Sequence, residues 1–542
     1  MNCVDRGWGS GHGGVVGFVK WERKLLSFRH REAFLTEGWE SMANETRGAQ
    51  RDPLRAEAQF FGHPRGLSTL FFTEMWERFS YYGMRGVLLL FMVDAIQTGG
   101  LGMTDGKAAA IYGLYTAGVY LMAMPGGWFA DRLVGAKSAV FYGGLLIALG
   151  QFSLVFSTNS PAAFYSGLVL IVLGTGLLKP NVSAIVGELY PEGGARRDAG
   201  FSVFYMGINL GAFIGPLICG FLGETIAWPL AFGAASVGMV LGLIQYRLGA
   251  GYLGSAGDAP QTDASDRSSV SRTLLASFGF VIILALVFAW LQSNGYTSFT
   301  LEQVAYATLF FIAGFAVLYF AYQLIFGGLD DVEKKRMVVI FFLFVGAVFF
   351  WGGFEQAAST MNLFAERLTD RVIFGWETPA SWLQAVNPVF IIILAPVFAW
   401  LWLALATKNP SLPVKFGIGL LLLGIGFLVM AWAAVYASPD SPVNSMWLVV
   451  TYFLHTSGEL CLSPVGLSSI TKLSPKRLVG QSMGIWFMGT ALGNLIAGLL
   501  AGQMDTLPLV QLFGMVAATV IGAGILFILF KGPVQRLTVG VD

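Results

Sequence analysis

Long apolar stretches recur along almost the whole chain, and each is long enough to cross a lipid bilayer. A spanning helix needs about 20 predominantly apolar residues. Fourteen stretches meet this requirement, and glycine and proline are frequent within them, as membrane helices tolerate. Their approximate bounds are 67–96, 108–130, 138–157, 161–186, 200–222, 226–246, 274–293, 304–326, 337–364, 381–405, 414–437, 445–471, 480–503 and 508–530. The pattern predicts an all-α, polytopic membrane protein.

The composition excludes several classes of soluble protein. Of the 542 residues, 55% are hydrophobic and 12% are charged, whereas a soluble domain has about 45–50% apolar and about 25% charged residues. The net charge of +1 gives no reason to expect nucleic acid binding. The three cysteines and four histidines are scattered, so neither a disulfide framework nor a metal site is predicted. We find no cofactor motif and no serine, histidine and aspartate pattern of an enzyme.

Basic residues are concentrated in alternate loops between the predicted spans. One set of loops carries fifteen lysines and arginines, and the opposite set carries three. Because cytoplasmic loops carry the excess of basic residues, fourteen spans place both termini in the cytoplasm of a plasma (inner) membrane protein. The richer set comprises Arg132, Lys137, Arg196, Arg197, Arg247, Arg267, Arg272, Lys334, Lys335, Arg336, Lys408, Lys415, Lys472, Lys476 and Arg477, and the poorer set Lys107, Arg367 and Arg371.

An internal repeat predicts two related halves. YMGINLGAFIGPLICG (205–220) and FMGTALGNLIAGLLAG (487–502) agree at seven positions with an offset of 282 residues, although two glycine-rich helices can also agree by chance. The offset fits two six-helix halves in parallel repeat, as in the major facilitator fold. Eight spans lie within one repeat, so two are an insertion. The predicted segments are 1–60 (polar tail), 61–247 (N-terminal bundle), 248–273 (cytoplasmic linker), 274–330 (inserted pair), 331–531 (C-terminal bundle) and 532–542 (tail).

The polar N-terminal segment differs from the rest of the chain. Its first 57 residues contain nine basic and eight acidic residues and no apolar core long enough for a signal peptide. We expect a disordered cytoplasmic tail. A second hypothesis is that translation starts at Met42 rather than Met1.

The first predicted span carries an unusual number of ionisable side chains. Charged residues inside the hydrocarbon cost at least about 2.5–3.5 kcal/mol each on insertion scales. Glu74, Glu77, Arg78, Tyr82 and Arg85 follow at spacings that place them on one broad helix face. Two carboxylates beside Arg78 cannot both be neutralised by it, so one is suited to take up and release a proton. The alternative is a static network that fixes helix packing.

Three further charges lie deep in other spans. Lys179 is in the fourth, Glu355 in the ninth and Glu459 in the twelfth. Their signs and separate helices predict a central polar site between the two halves, unless each reaches an interface instead. His455, one turn before Glu459, is expected to form a plain hydrogen bond rather than to titrate.

Four separated motifs resemble those of the proton-dependent oligopeptide transporter (POT/PTR) family. They are EMWERFSYYG (74–83), GGWFADRLVGAK (126–137), FYMGINLGA (204–212) and GELCLSPVGLS (458–468), and FWGGFEQ (350–356) and QAVNPVF (384–390) are weaker matches. The resemblance runs from about residue 60 to 530, and the inserted pair is similar to that of the bacterial branch. It implies proton-coupled symport of di- and tripeptides by alternating access.

The resemblance also implies roles for individual residues. Proton coupling would involve Glu74, Glu77, Arg78 and Glu355, with Glu355 pairing with Lys179 as the gate changes state. The implied substrate-binding residues are Tyr82, Arg85, Tyr120, Lys179, Asn209, Trp351, Asn387, Glu459, Ser463 and Trp486. Among these, Arg85 and Lys179 would hold the peptide carboxylate, and Glu459 the amino end with Asn209 and Asn387. Phe354 stands where some bacterial members have a second carboxylate, which leaves the proton stoichiometry open.

The residues themselves support this interpretation. Basic groups in one half and an acidic group in the other match the separated charges of a short zwitterionic peptide. The expected partners are therefore short peptides, protons and the lipid bilayer, with the protein as a monomer. The alternative is a transporter of the same fold for another small solute, such as nitrate, an amino acid or a drug. A membrane enzyme, a channel and a receptor fit the repeated halves less well.

Overall fold

The computed structural model describes residues 58–259 and 290–538, together with residues 272, 283 and 287. The predicted tail up to residue 57, most of the predicted linker beyond 259 and most of the predicted span 274–293 lie outside the described residues. So do residues 539–542.

Helices dominate the described chain. The helices are α1 (Arg65–Val93), α2 (Asp105–Phe129), α3 (Ala136–Leu154), α4 (Pro161–Glu188), α5 (Gly194–Thr225), α6 (Trp228–Gly249), α7 (Leu301–Phe326), α8 (Asp331–Phe354), α9 (Thr360–Leu368), α10 (Val386–Leu405), α11 (Leu412–Tyr436), α12 (Met446–Leu473), α13 (Val479–Ala501), α14 (Leu509–Leu529) and α15 (Lys531–Leu537). The strands are β1 (Ala58–Phe60), β2 (His63–Pro64), β3 (Thr369–Asp370), β4 (Val372–Ile373), β5 (Trp376–Glu377) and β6 (Val443–Asn444). Strands β1 and β2 pair with each other in the short unit that ends at Arg65.

The prediction of an all-α, polytopic membrane protein is confirmed. Within the described residues, eleven helical segments are long and apolar enough to cross a membrane. Helices α1 and α12 have 29 and 28 residues but are more polar, because they carry the predicted site charges. The total of fourteen spans stays a prediction, since the span 274–293 falls largely outside the described chain.

Local sequence signals explain where several helices begin. The hydroxyl of Ser160 accepts a hydrogen bond from the backbone of Ala163, and Pro161 occupies the first turn of α4, where its missing N–H costs nothing. Asp330 and Glu333 form a capping box at the start of α8. These signals fix the helix starts, and the apolar faces then decide how the helices pack.

The two copies of the internal repeat make matching contacts. A Cβ atom added at Gly211 of α5 would lie 2.2 Å from the carbonyl oxygen of Met75 in α1. A Cβ atom added at the equivalent Gly493 of α13 would lie 2.5 Å from Cβ of Trp351 in α8. Each glycine thus lets its helix approach the first helix of its own half, as small residues do in membrane helix packing.

Three predicted segments differ from the structure. The predicted span 337–364 is interrupted, because α8 ends at Phe354 and a 3₁₀ turn, Glu355–Ala358, precedes α9. The polar linker predicted from residue 248 begins with the end of α6 and the 3₁₀ turn Ala250–Leu253. The predicted tail 532–542 contains most of α15.

Candidate functional site

The acidic and basic residues predicted on α1 form one buried cluster. The Arg78 guanidinium donates to Oε1 of Glu74 at 2.7 Å, and its Nε lies 3.1 Å from Oε2 of Glu77. The three residues are at most 6% exposed. Gly211 positions the cluster, because its missing side chain allows α5 to approach Arg78, whose Cβ would lie 2.8 Å from an added Cβ. One cation therefore faces two buried carboxylates.

Arg85 lies two turns further along α1 and connects to another part of the chain. Its Nε donates to the Tyr112 hydroxyl of α2 at 2.7 Å, and its Nη2 forms an ion pair with Oε2 of Glu355. The ring of Tyr82 lies 5.6 Å from the guanidinium carbon. Glu355 occupies the break between α8 and α9, so the ion pair joins the N-terminal helices α1–α6 to the C-terminal helices α8–α14.

Lys179 does not form the predicted pair with Glu355 in this structure. Its ammonium lies 3.9 Å from the centre of the Tyr120 ring on α2, and no ion pair within 4.0 Å is found for it among the described residues. This cation–π contact keeps the Lys179 ammonium against a helix of the N-terminal group. Arg85, rather than Lys179, forms the ion pair with Glu355. Lys179 still lies within electrostatic range of Glu77 and Glu355.

The predicted acidic group on α12 is held by its neighbours. Oε2 of Glu459 accepts a hydrogen bond from the Asn387 amide at 3.4 Å, and the same amide donates to the Thr456 hydroxyl at 2.8 Å. Glu459 is half-buried and lies within electrostatic range of Glu355. His455 contacts the carbonyl of Leu423 on α11 and packs on a phenylalanine, so a structural role fits its position.

The remaining predicted binding residues differ in burial and in hydrogen bonding. Asn209 donates to the carbonyl of Tyr205 within its own helix at 2.9 Å. Trp486 is buried against the ring of Phe416. Trp351 and Ser463 are partly buried, and neither the indole N–H nor the hydroxyl has a hydrogen-bond partner among the described residues. A bound polar molecule could satisfy the last two groups, whereas Trp486 is enclosed by protein.

Several contacts between the N-terminal and C-terminal helices gather at one end of the molecule, which we call the sealed end. The Glu224 carboxylate on α5 accepts from the backbone N–H groups of Ala380 and Ser381 at 2.6 and 3.1 Å. Asp105 at the start of α2 forms two hydrogen bonds with Arg367 of α9, at 2.5 and 2.8 Å. Three more hydrogen bonds join the same two groups of helices across a boundary that we call the seam. The Trp382 indole N–H donates to the Leu217 carbonyl, and the Asn362 and Gln384 side-chain amides both donate to the Gly86 carbonyl.

Sequence reasoning did not identify several of these groups. Tyr112 lies in an apolar helix without a neighbouring charge to mark it, and Thr456 was overlooked although it lies one turn before Glu459. Glu224 and Asp105 lie near the ends of spans, where a carboxylate normally reaches water and carries no signal. Within the described residues, no group of three potential metal ligands comes together.

Comparisons with known proteins agree with this architecture. The sequence profile of the POT family matches residues 137–518. The peptide transporter YePEPT of Yersinia enterocolitica is 43% identical over 502 residues, which cover 88% of this chain and 96% of that protein. A di-/tripeptide transporter of Lactococcus lactis subsp. lactis is 36% identical, with 89% of this chain and 98% of the relative covered.

A solved structure gives the same result. A crystal structure of a peptide transporter POT in complex with sulfate matches with a TM-score of 0.82 and 40% identity, covering 90% of this chain and 99% of that chain. The shared fold, the family profile and the long relatives confirm the resemblance found in the motifs. The chain therefore belongs to the POT family and is a membrane transporter of the major facilitator fold, not an enzyme.

Proposed function

We propose that this chain couples the inward movement of protons to the uptake of di- and tripeptides by alternating access. The named activities of the Yersinia and Lactococcus relatives support a peptide as the substrate. The observation that carries the proposal is the meeting of opposite charges from both groups of helices around Arg85. Glu355 contacts Arg85 directly, and Lys179 and Glu459 lie within electrostatic range of Glu355.

A short peptide has a carboxylate and an ammonium group that match two side chains with unused binding capacity. The Lys179 ammonium has a cation–π contact with Tyr120 and donors still available for a carboxylate. The Glu459 carboxylate accepts one long hydrogen bond from Asn387 and can accept an ammonium group. Because Lys179 and Glu459 belong to different groups of helices, a peptide that reaches both draws the groups together.

The cluster on α1 is the proposed site of proton coupling. Arg78 can neutralise one carboxylate, so a proton on Glu77 or Glu74 removes the excess negative charge. One proton that moves down a membrane potential of 100 mV releases about 2.3 kcal/mol, which supports roughly 50-fold accumulation of one peptide per proton.

The ion pair between Arg85 and Glu355 is the proposed link between binding and conformational change. A peptide carboxylate competes with Glu355 for Arg85, and a proton on Glu355 removes the charge that attracts Arg85. Either event weakens the connection between the N-terminal and C-terminal helices. The equilibrium then moves toward a conformation in which the sealed end opens.

The basic loops support a cytoplasmic location of both termini, which places the sealed end outside the cell. We further propose a monomer in which residues 61–247 and 331–531 are the moving halves, with 274–330 inserted between them.

Uptake by the purified protein in liposomes tests the proposal. A labelled dipeptide is expected to accumulate when the outside is acidic, and a proton ionophore is expected to abolish the accumulation. Excess unlabelled tripeptide should compete, whereas nitrate and single amino acids should not. Accumulation that ignores the pH gradient, or competition by a single amino acid as strong as that by the tripeptide, would contradict the proposal.

A further inference from the structure

A small β-hairpin projects from the sealed end between α9 and α10. Strand β4 pairs antiparallel with β5, and Phe374 and Gly375 form the two-residue connection. The base of the hairpin is fixed, because Arg371 donates to the carbonyl of Thr378 at 2.5 Å and pairs with Glu377 at 2.9 Å. The backbone N–H of Thr378 donates back to the carbonyl of Arg371 at 3.0 Å. The tip is therefore held in a defined direction.

Phenylalanine is an unusual residue for the tip of such a turn. Phe374 and Gly375 both have positive φ angles, of 53° and 79°. Two-residue hairpins of this kind favour Asn-Gly or Asp-Gly, because few side chains other than those of asparagine and aspartate tolerate the left-handed region. Phe374 is also fully exposed. Among the described residues, neither the turn geometry nor a packing contact favours a phenylalanine at this position.

The neighbours of Phe374 form an apolar surface that continues onto α5. Val372, Ile373 and Trp376 are all exposed. The ring of Trp376 lies 6.4 Å from that of Phe221, which is itself exposed on α5. An exposed apolar face on a membrane-spanning helix contacts lipid. The hairpin surface is therefore continuous with the lipid-facing surface of the transporter.

We propose that this hairpin is a membrane anchor whose tip enters the boundary between lipid headgroups and acyl chains. Phe374 would lie deepest, about 5–10 Å below the headgroups as interfacial apolar groups do. Trp376 suits the headgroup level, where tryptophan is enriched. The ion pair between Arg371 and Glu377 lies at the base, toward water. With the sealed end outside the cell, the anchor enters the outer leaflet.

The anchor has a direct connection to the sealed end. The chain leaves β5 at Glu377 and reaches Ala380 and Ser381, whose N–H groups bind Glu224. A hairpin held at the lipid surface therefore restrains the segment that closes the seam between α5 and α10.

Depth-dependent fluorescence quenching tests the anchor in the full-length chain. Cys3, Cys219 and Cys461 are replaced by serine, Phe374→Cys is labelled with an NBD dye, and the protein is reconstituted in phosphatidylcholine and phosphatidylglycerol vesicles. Asp440→Cys, in the exposed loop between α11 and α12 at the same end, is the matched control. Peptide uptake by each labelled protein shows that both are folded.

The anchor predicts stronger quenching at position 374 by a lipid with a nitroxide near the top of its acyl chain than by one labelled at the headgroup, and protection from iodide in water. The dye at position 440 is expected to show the reverse. Equal iodide quenching at both positions, with no quenching by nitroxide lipid at position 374, would overturn the proposal. That result would indicate that the tip lies in water and is available to a protein partner. With the dye at Ile373→Cys, adding Phe374→Asn is expected to reduce lipid quenching; an unchanged value would remove Phe374 from the anchor.

Discussion

Two arginines on α1 lie two turns apart and have different kinds of partners. Arg78 binds Glu74 and Glu77, which belong to the same helix. Arg85 binds Glu355, which lies 270 positions away in the other group of helices. All five side chains are buried. The first cluster can keep its geometry while the two groups of helices move, whereas the second contact exists only when they are close.

This difference separates two tasks that a coupled transporter must perform. A buried cluster within one helix can hold or release a proton without a change in helix packing. A buried ion pair between groups of helices changes the relative stability of two conformations, because losing one partner leaves an unpaired charge. From this comparison we propose that the Arg78 cluster exchanges the coupling proton and that the Arg85 pair controls the conformational change.

Glu77→Gln is expected to have the largest effect on coupled transport. The amide cannot exchange a proton but fits the same buried space beside Arg78. Accumulation driven by a pH gradient should fall to background, while exchange of labelled for unlabelled peptide across vesicles should continue. Glu192→Gln, an exposed carboxylate in the loop before α5, is the matched control. Normal pH-driven accumulation by Glu77→Gln would remove the proton role from this cluster.

Glu355→Gln is expected to destabilise the described conformation strongly. Removing one partner of a buried ion pair costs about 3–5 kcal/mol, because the other charge loses its compensation. The melting temperature in detergent and the rate of peptide uptake should both decrease. The double variant Arg85→Met and Glu355→Met should regain thermal stability without regaining uptake. If the double variant unfolds at the temperature of the single one, the ion pair is not the cause of the loss.

Lys179→Ala is expected to reduce the apparent affinity for free peptides by about tenfold, since a charge-assisted hydrogen bond contributes about 1.5–3 kcal/mol. Peptides with an esterified carboxylate should lose much less. Lys415→Ala is a suitable control, because Lys415 also lies over an aromatic ring, that of Trp402. Equal losses for free and esterified peptides would contradict the role of Lys179 in binding the carboxylate.

Glu224→Gln is expected to loosen the sealed end by about 1–2 kcal/mol, because the amide replaces two charge-assisted hydrogen bonds with one neutral bond. Labelling of a cysteine introduced at Ser381 by a water-soluble maleimide should accelerate. Asp440→Asn, which changes an exposed carboxylate in the loop between α11 and α12 at the same end, should leave the rate unchanged. An unchanged labelling rate in Glu224→Gln would show that the other contacts are sufficient to close this end without Glu224.

The smallest expected effect concerns Asp505, in the loop between α13 and α14. Partial burial and the nearby Asp105 carboxylate raise the pKa of Asp505 above its usual range, against the opposing effect of Arg367. A raised pKa in the folded state stabilises the protein below the ordinary aspartate pKa, and this stabilisation is lost as pH rises through the folded value. Asp505→Asn should flatten the rise of the melting temperature on acidification; an unaltered pH profile would exclude this contribution.

The sequence predicted the elements that depend on regular patterns. The spans follow from apolar length, and the matching contacts of Gly211 and Gly493 follow from the repeat. The Arg78 cluster was predictable because its members share one helix at a spacing of three and four residues. Its geometry needed no knowledge of how distant helices pack.

Contacts between distant helices could not be predicted in the same way. The resemblance implied that Glu355 pairs with Lys179 as the gate changes state, and in the described conformation Glu355 pairs with Arg85. Whether Arg85 or Lys179 pairs with Glu355 depends on which helix faces the break after Phe354. The pattern of apolar residues did not predict that break. Glu224 was missed because its partners are backbone N–H groups, which have no sequence signature.

The most direct test of the account measures the sealed end in the functioning protein. Spin labels at Asn159→Cys and Asp440→Cys, in exposed loops of the N-terminal and C-terminal helices, report its opening by pulsed electron–electron double resonance in liposomes. The account predicts a longer distance in Glu355→Gln than in the protein with Glu355 intact, and a shift of the intact protein toward that longer distance at acidic pH. If the distance between the two labels is the same at every pH and in Glu355→Gln, the proposal that the ion pair of Arg85 and Glu355 controls the conformational change is contradicted.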